Sequence, residues 1–294
     1  MTKLPEGTVP EGTAQVTITP RAPISSAQVL LWIGLGVGGL AIAIPFLYMI
    51  FTSFKTPEEA YAQPPTFLPG AWRLENFTKL FELVPFVQMF WNSLWTSAAI
   101  ATANILVGAP AAYAFARLRF PAKNLMFQSH VLSMVVPWQI TLIPTFLIVR
   151  WFGWIDSFVA LIVPSIANAY SMFMLYQFFK SLPRSLEESV LMDGGSWGTA
   201  LRYVALPTSA GAIMATWLLS FLGNWQSFVW PSIVLNSQDK MVLPVGLLAL
   251  QNHFAINEPV LMAGATLSVV PTIIAYLFTQ RYLTDAALQS GLKG

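Results

Sequence analysis

The sequence predicts an all-α integral membrane protein with six spanning helices and both termini in the cytoplasm. Three observations carry that prediction. Of 294 residues, 55% are hydrophobic and only 10% charged, against about 25% charged in soluble domains. The charged residues leave six gaps, 22–54, 83–116, 124–149, 157–179, 203–238 and 259–280, each at least 22 residues long. Finally, Lys and Arg divide unevenly between alternate connections. Lys3, Arg21, Arg117, Arg119, Lys123, Lys180, Arg184, Arg202, Arg281 and Lys293 fall on one side, and Lys55, Arg73, Lys79, Arg150 and Lys240 on the other. The positive-inside rule puts the richer set in the cytoplasm.

A charge at the centre of a spanning helix costs about 2.5–3.5 kcal/mol, and about 20 apolar residues cross the hydrocarbon. The gaps therefore read as spans. Residues 1–27 are expected to be a flexible cytoplasmic tail, too long and too weakly basic for the start of a cleaved signal. A membrane domain over 28–282 follows, with spans at 28–51, 94–116, 124–147, 158–179, 208–232 and 260–280, and a cytoplasmic tail at 283–294. The second span is closed by Arg117, Arg119 and Lys123, the clearest topological signal. The run 241–250 (MVLPVGLLAL) is too short to span and reads as an interfacial or re-entrant piece. Every span holds proline, at Pro45, Pro110, Pro137 and Pro144, Pro164, Pro231 and Pro271. A kink is expected at each.

Several function classes are excluded on chemistry. The basic residues never cluster, so there is no nucleic-acid surface. No Asp, Glu, Lys or Arg lies within a span, where ion-coupled carriers keep their coupling groups. His130 is read as an interfacial or satisfied histidine. No intramembrane acid pair, metal-ligand cluster or activated nucleophile suggests an enzyme, and no catalytic or metal residue is assigned. Absence of cysteine removes thiolate chemistry. No G-x-x-x-x-G-K-[ST] phosphate loop is present, so energy for transport has to come from another chain.

The connection 180–207 (KSLPRSLEESVLMDGGSWGTALRYVALP) reads as two short helices. Ser185 and Glu188 are placed for a capping box. Leu186, Val190 and Leu191 form an apolar stripe, and Gly194 with Gly195 ends the first helix. Ser196 caps the second, which Pro207 closes. Asp193 opposes the dipole of the first helix and is expected to have a cationic partner.

This connection resembles the EAA motif of permease subunits of binding-protein-dependent ABC importers, with Glu188-Ser189-Val190, Asp193-Gly194 and Leu206-Pro207 at the matching positions. Ser-Val replaces Ala-Ala, and Gly195 stands where the family usually has alanine. Asn92-Ser93-Leu94, FLGNWQSFVWP over 221–231, Ser53-Phe54-Lys55 and the ending Gln280-Arg281-Tyr282 to Gly291-Leu292-Lys293-Gly294 resemble the second permease of the maltose-type carbohydrate branch.

The resemblance implies a type I ABC importer permease fold in a prokaryotic cytoplasmic membrane. It also implies a second permease, a cytoplasmic ABC ATPase dimer and an extracytoplasmic solute-binding protein as partners. ATP and Mg would be used by the ATPase, and this chain would bind no cofactor. The first loop helix would be the coupling helix, with Arg184, Glu187, Glu188, Asp193, Gly194 and Gly195 as ATPase-coupling residues. The solute would be a sugar, a di- or oligosaccharide or related polyol, meeting Asn224, Trp225 and Gln226. Trp72, Phe77, Phe81, Asp239, Asn252 and His253 in the external loops 54–90 and 233–258 are candidates for docking the binding protein. The alternatives are a permease for amino acids, peptides or phosphate, or a secondary carrier.

Overall fold

A computed structural model describes residues 25–253 and 257–291, with the side chains of 252, 253 and 282–291 left aside. The expected N-terminal tail up to residue 24, the final Leu292-Lys293-Gly294, and the side chains of Asn252 and His253 lie outside the described residues. All regular structure among those described is helical. The chain divides into two compact units, 1–47 and 48–294.

The first unit is the greater part of α1 (Ser26–Thr52), 27 residues long, or about 40 Å at 1.5 Å per residue. Leu30, Trp32, Leu35 and Ile42 are 67–72% exposed. A helix apolar all round needs lipid or a partner chain around it. This agrees with the first expected span.

In the second unit, α2 (Pro57–Ala60) starts with a capping box of Thr56 and Glu59. α3 (Glu75–Leu83) buries Asn76 and Leu80. Asn76 Nδ2 donates to the carbonyls of Ser53 (2.9 Å) and Lys55 (2.8 Å). Lys55 is buried, donates to the Thr66 carbonyl and lies over the Tyr48 ring.

α4 (Phe86–Arg117) is an unbroken 32-residue helix through Pro110, about 48 Å long. Small residues let it approach α8 (Ala169–Ser181): a Cβ on Gly108 would stand 3.7 Å from the Met172 backbone. Close backbone approach at glycine and alanine is how helices pack where lipid removes the hydrophobic driving force.

The third expected span is not straight. α5 (Lys123–Ser133) and α6 (Trp138–Trp151) meet at 101°. Pro137 begins α6, and the residue before a proline is driven out of helical geometry. At about 16 and 21 Å neither piece alone crosses about 30 Å of hydrocarbon. α7 (Val159–Ser165) and α8 are separated by a short break but together form a 23-residue candidate span. α9 (Ser185–Met192) and α10 (Trp197–Ala200) follow. The chain then widens into a π-turn over Leu201–Ala205 and α11 (Leu206–Thr208). The 197–208 stretch bends by 77° into α12 (Ala210–Trp225).

The fifth expected span, 208–232, also needs correction. Its main helix stops at Trp225, and Pro231 sits in a separate short helix, α13 (Val229–Val234). Sharp bends thus fall beside Pro137 and just after Pro207. Pro45, Pro110, Pro144 and Pro271 lie inside unbroken helices. α14 (Leu243–His253) is the short apolar run, a helix that buries Leu243 and Leu250 at 1% and 4% exposure. α15 (Glu258–Gly291) continues into the stretch expected as a C-terminal tail. Among the described residues, four helices are long and apolar enough to cross a membrane, or six if each bent pair is one span.

Two ion pairs fix which connections share an end of the helix bundle. Arg117, closing α4, meets Glu187 in α9 at 2.7 Å. Asp156, between α6 and α7, meets Lys240 at 3.1 Å. Both pairings agree with the alternation expected from the charge map.

Candidate solute pathway and coupling loop

A cavity of about 300 Å³ lies between α4, α6, α7 and the 224–242 stretch. Ser93, Thr96, Ser97, Ile100 and Asn104 reach it from α4, at spacings that repeat on one helical face. Trp138, Thr141, Leu142 and Thr145 do the same on α6, and Ser165, Asn168, Asn224, Ser227 and Trp230 complete the polar lining. None of these side chains is ionisable. The hydroxyls of Thr141, Thr145 and Ser165 donate to carbonyls of their own helices at 2.9, 2.7 and 2.8 Å. Their protons are committed, so the lone pairs remain as acceptors. The wall is therefore uncharged and built of hydroxyls, amides and indoles.

Asn104 holds one side of it. It is 2% exposed. In the amide orientation that satisfies both ends, its nitrogen donates to the carbonyls of Ser165 (2.8 Å) and Ile166 (2.6 Å), and its oxygen accepts from Ser220 Oγ (2.8 Å). The carbonyls released at the α7–α8 break are thereby satisfied, which a bilayer interior demands. Asn168 caps α8 by accepting from the Ser171 N–H at 2.8 Å.

Of the three pathway residues expected from sequence, Asn224 lines the cavity. Trp225 does not. It is 4% exposed, its indole donates to the Ser268 carbonyl at 3.1 Å, and its ring lies against Phe90 and Phe221. One residue on from Asn224 turns a side chain by about 100° around a helix, and this one enters the core. Gln226 is an exposed C-cap outside the lining. Sequence reasoning missed the α4 and α6 residues. The signal was available as a polar stripe, Ser93, Thr96, Ser97 and Asn104, inside an otherwise apolar span.

In the 180–207 connection the expected Ser185–Glu188 capping box is absent. Ser185 is already the first helical residue, preceded by Arg184, which makes no side-chain cap. Gly194 ends the helix at φ +81°, and Ser196 forms a capping box with Thr199. The second helix ends at Thr208, one residue past Pro207, as expected. Asp193 is exposed, with no ion pair among the described residues. Glu188 is exposed too, whereas Glu187 is 2% exposed.

At the opposite end, Asp156 adopts φ +57° and gathers the N–H groups of Asn236 (3.0 Å) and Ser237 (2.9 Å), the Ser237 hydroxyl and the Lys240 ammonium. These donors, the Ser237 hydroxyl foremost, hold its carboxyl well below the usual carboxylate range. In the 54–90 loop Trp72 packs edge-on to Phe54 and to Phe51 at the end of α1. Trp72 and Phe81 are exposed at 63% and 48%.

The profile of the family described as binding-protein-dependent transport system inner membrane component matches residues 104–287, a stretch that holds both the 180–207 connection and much of the cavity. The chain belongs to that family. It is a multi-pass inner-membrane permease subunit of an ABC importer. It is 29% identical over 268 residues to an arabinooligosaccharides transport system permease, AraQ, of Halalkalibacterium halodurans, covering 90% of this chain and 96% of that one. It is 30% identical over 272 residues to a diacetylchitobiose uptake system permease, NgcG, of Streptomyces coelicolor, covering 91% and 88%. A solved bacterial ABC transporter involved in import of the acidic polysaccharide alginate contains a chain of the same fold. Its TM-score is 0.77 at 22% identity, over 89% of this chain and all of that one. Permease subunits of this family are not themselves enzymes.

Proposed function

We propose that this permease forms half of the pathway by which a neutral sugar, a di- or oligosaccharide or a related polyol, crosses the membrane. The observation that carries the reading is the cavity wall. Its hydroxyls and amides can exchange hydrogen bonds with sugar hydroxyls, and the indoles of Trp138 and Trp230 line it beside them. No cationic side chain is there to meet a phosphate or a carboxylate. The names of the two relatives, both concerned with oligosaccharides, support the same substrate class.

A second permease would complete the pathway, and an extracytoplasmic binding protein would deliver the solute. Trp72, Phe77, Phe81 and Asp239 remain its candidate docking residues. A cytoplasmic ATPase pair, using ATP and Mg, would grip α9 through exposed Arg184, Glu188 and Asp193, with Gly194 and Gly195 shaping the turn. A short helix with satisfied ends transmits force where a loose loop does not. The more basic connections, including 117–123 and 180–207, would face the cytoplasm.

The test is to purify the importer through this chain, reconstitute it in lipid and screen binding-protein-loaded arabino-oligosaccharides, diacetylchitobiose, amino acids and phosphate for stimulation of ATP hydrolysis. Stimulation by a sugar is expected. Stimulation by amino acids or phosphate alone would refute the substrate class.

A further inference from the structure

α9 has one buried side chain, and it is a carboxylate. Its apolar residues are not sequestered: Leu186 is 43% and Met192 83% exposed, while Glu187 is 2% exposed. Arg117 Nε lies 2.7 and 2.9 Å from the two carboxylate oxygens, and Arg117 Nη2 donates to the Leu182 carbonyl at 2.7 Å. The guanidinium, itself 4% exposed, thus joins three things: the end of α4, the end of α8 and the loop helix.

α4 is fastened elsewhere along its length as well. At the far end Asn92 Nδ2 donates to the carbonyls of Asp239 (2.9 Å) and Met241 (3.0 Å), and Ser93 Oγ accepts from the Leu243 N–H (2.7 Å). In the middle, Asn104 ties it to the α7–α8 break and α12. The same helix supplies Ser93, Thr96, Ser97 and Asn104 to the cavity.

We propose that Arg117 and Glu187 are a pair of positioning residues that pass movement of the loop helix into α4. The cavity wall then moves with the energy-supplying subunits. α4 acts as the rod, clamped at its inner end by this ion pair and at its outer end by the Asn92 and Ser93 contacts. This rests on the proposal that α9 seats on the ATPase. It adds that force leaves α9 through Glu187 and not through the neighbouring Glu188, whose carboxylate faces outward.

The test uses the whole importer in proteoliposomes, with partner subunits made free of cysteine as this chain already is. Uptake of radiolabelled arabino-oligosaccharide or diacetylchitobiose is divided by ATP hydrolysed. Arg117→Gln and Glu187→Gln should each keep hydrolysing ATP while uptake per ATP falls about tenfold or more, within the range of ordinary coupling energies. Because each leaves a buried charge alone, a second variant, R117C/E187C, removes both charges. It should be uncoupled when free and recoupled when a short reducible bis-thiosulfonate linker joins the two thiols. A free double variant as well coupled as wild type, or a linked one no better than the free one, overturns the clamp. A wild-type complex that carries no ATPase overturns the underlying coupling proposal and the clamp with it.

Discussion

Among the described residues, the two ion pairs that join different parts of the helix bundle are chemically alike and physically different. Arg117–Glu187 is almost fully excluded from solvent, at 4% and 2% exposure, whereas Lys240 and Asp156 remain 35% and 24% exposed. A buried pair is held in place because removing either partner strands a charge. An exposed pair is screened, and its weight lies in geometry. Asp156 shows this: its carboxylate is satisfied mainly by a hydroxyl and two backbone N–H groups, with the ammonium as one donor among several. The Arg117–Glu187 contact thus depends on both charges being present, whereas Asp156 chiefly sets the conformation of the 234–241 stretch.

The comparison breaks most readily at Glu187. Glu187→Ala should cost about 3–5 kcal/mol, visible as a large drop in the thermal midpoint of the detergent-solubilised complex. Glu188→Arg, one residue along and exposed, should leave that midpoint and membrane insertion unchanged while uncoupling ATP hydrolysis from uptake. Equal destabilisation by both would erase the distinction. Asn104→Leu should cost about 1–3 kcal/mol, because the Ser165 and Ile166 carbonyls lose their donors. The same unfolding measurement checks it.

Gly194→Ala places a Cβ at φ +81° and should cost about 1–2 kcal/mol. Gly195 is a different case. A Cβ there would come within 2.7 Å of both Val190 Cγ1 and the Val190 carbonyl. The valine that stands where alanine is usual and the glycine that stands where alanine is usual are therefore spatial complements. Gly195→Ala alone should lower the thermal midpoint, and adding Val190→Ala should restore part of it.

The smallest effect belongs to Asp156→Asn, which should weaken protection of the Asn236 and Ser237 amides in hydrogen exchange without disturbing assembly. A depressed folded pKa means that the contribution of the carboxylate is complete above its unfolded value near 3.9. It is lost only as pH falls through the still lower folded value. Protection corrected for intrinsic exchange should accordingly stay level from about pH 8 to 5 in the wild type.

Charge placement made the apolar helical stretches and the pairing of connections readable, because exclusion of ions from hydrocarbon acts on each residue separately. The helix ends Gly194 and Ser196 were readable for the same local reason. What escaped depends on direction and company. Arg117 counted as a topological marker, and nothing in its own surroundings in sequence points 70 positions on to Glu187. Trp225 beside Asn224 looked like a sugar platform, yet a 100° step around the helix sends it into the core. The Ser185 capping box failed because the helix begins one residue earlier than the motif requires. The bend at Pro137 was half legible: proline foretold a distortion, but whether it kinks or breaks a helix depends on what satisfies the freed backbone groups.

Topology decides the rest, since α9 can be driven by a cytoplasmic ATPase only from inside the cell. The chain has no cysteine, so Asp193→Cys on exposed ground just past α9 gives a clean reporter. A membrane-impermeant maleimide should label it in inside-out vesicles stripped of the peripheral ATPase and leave it untouched in intact cells. Labelling in intact cells would put the coupling loop on the outer face and contradict the account at its root.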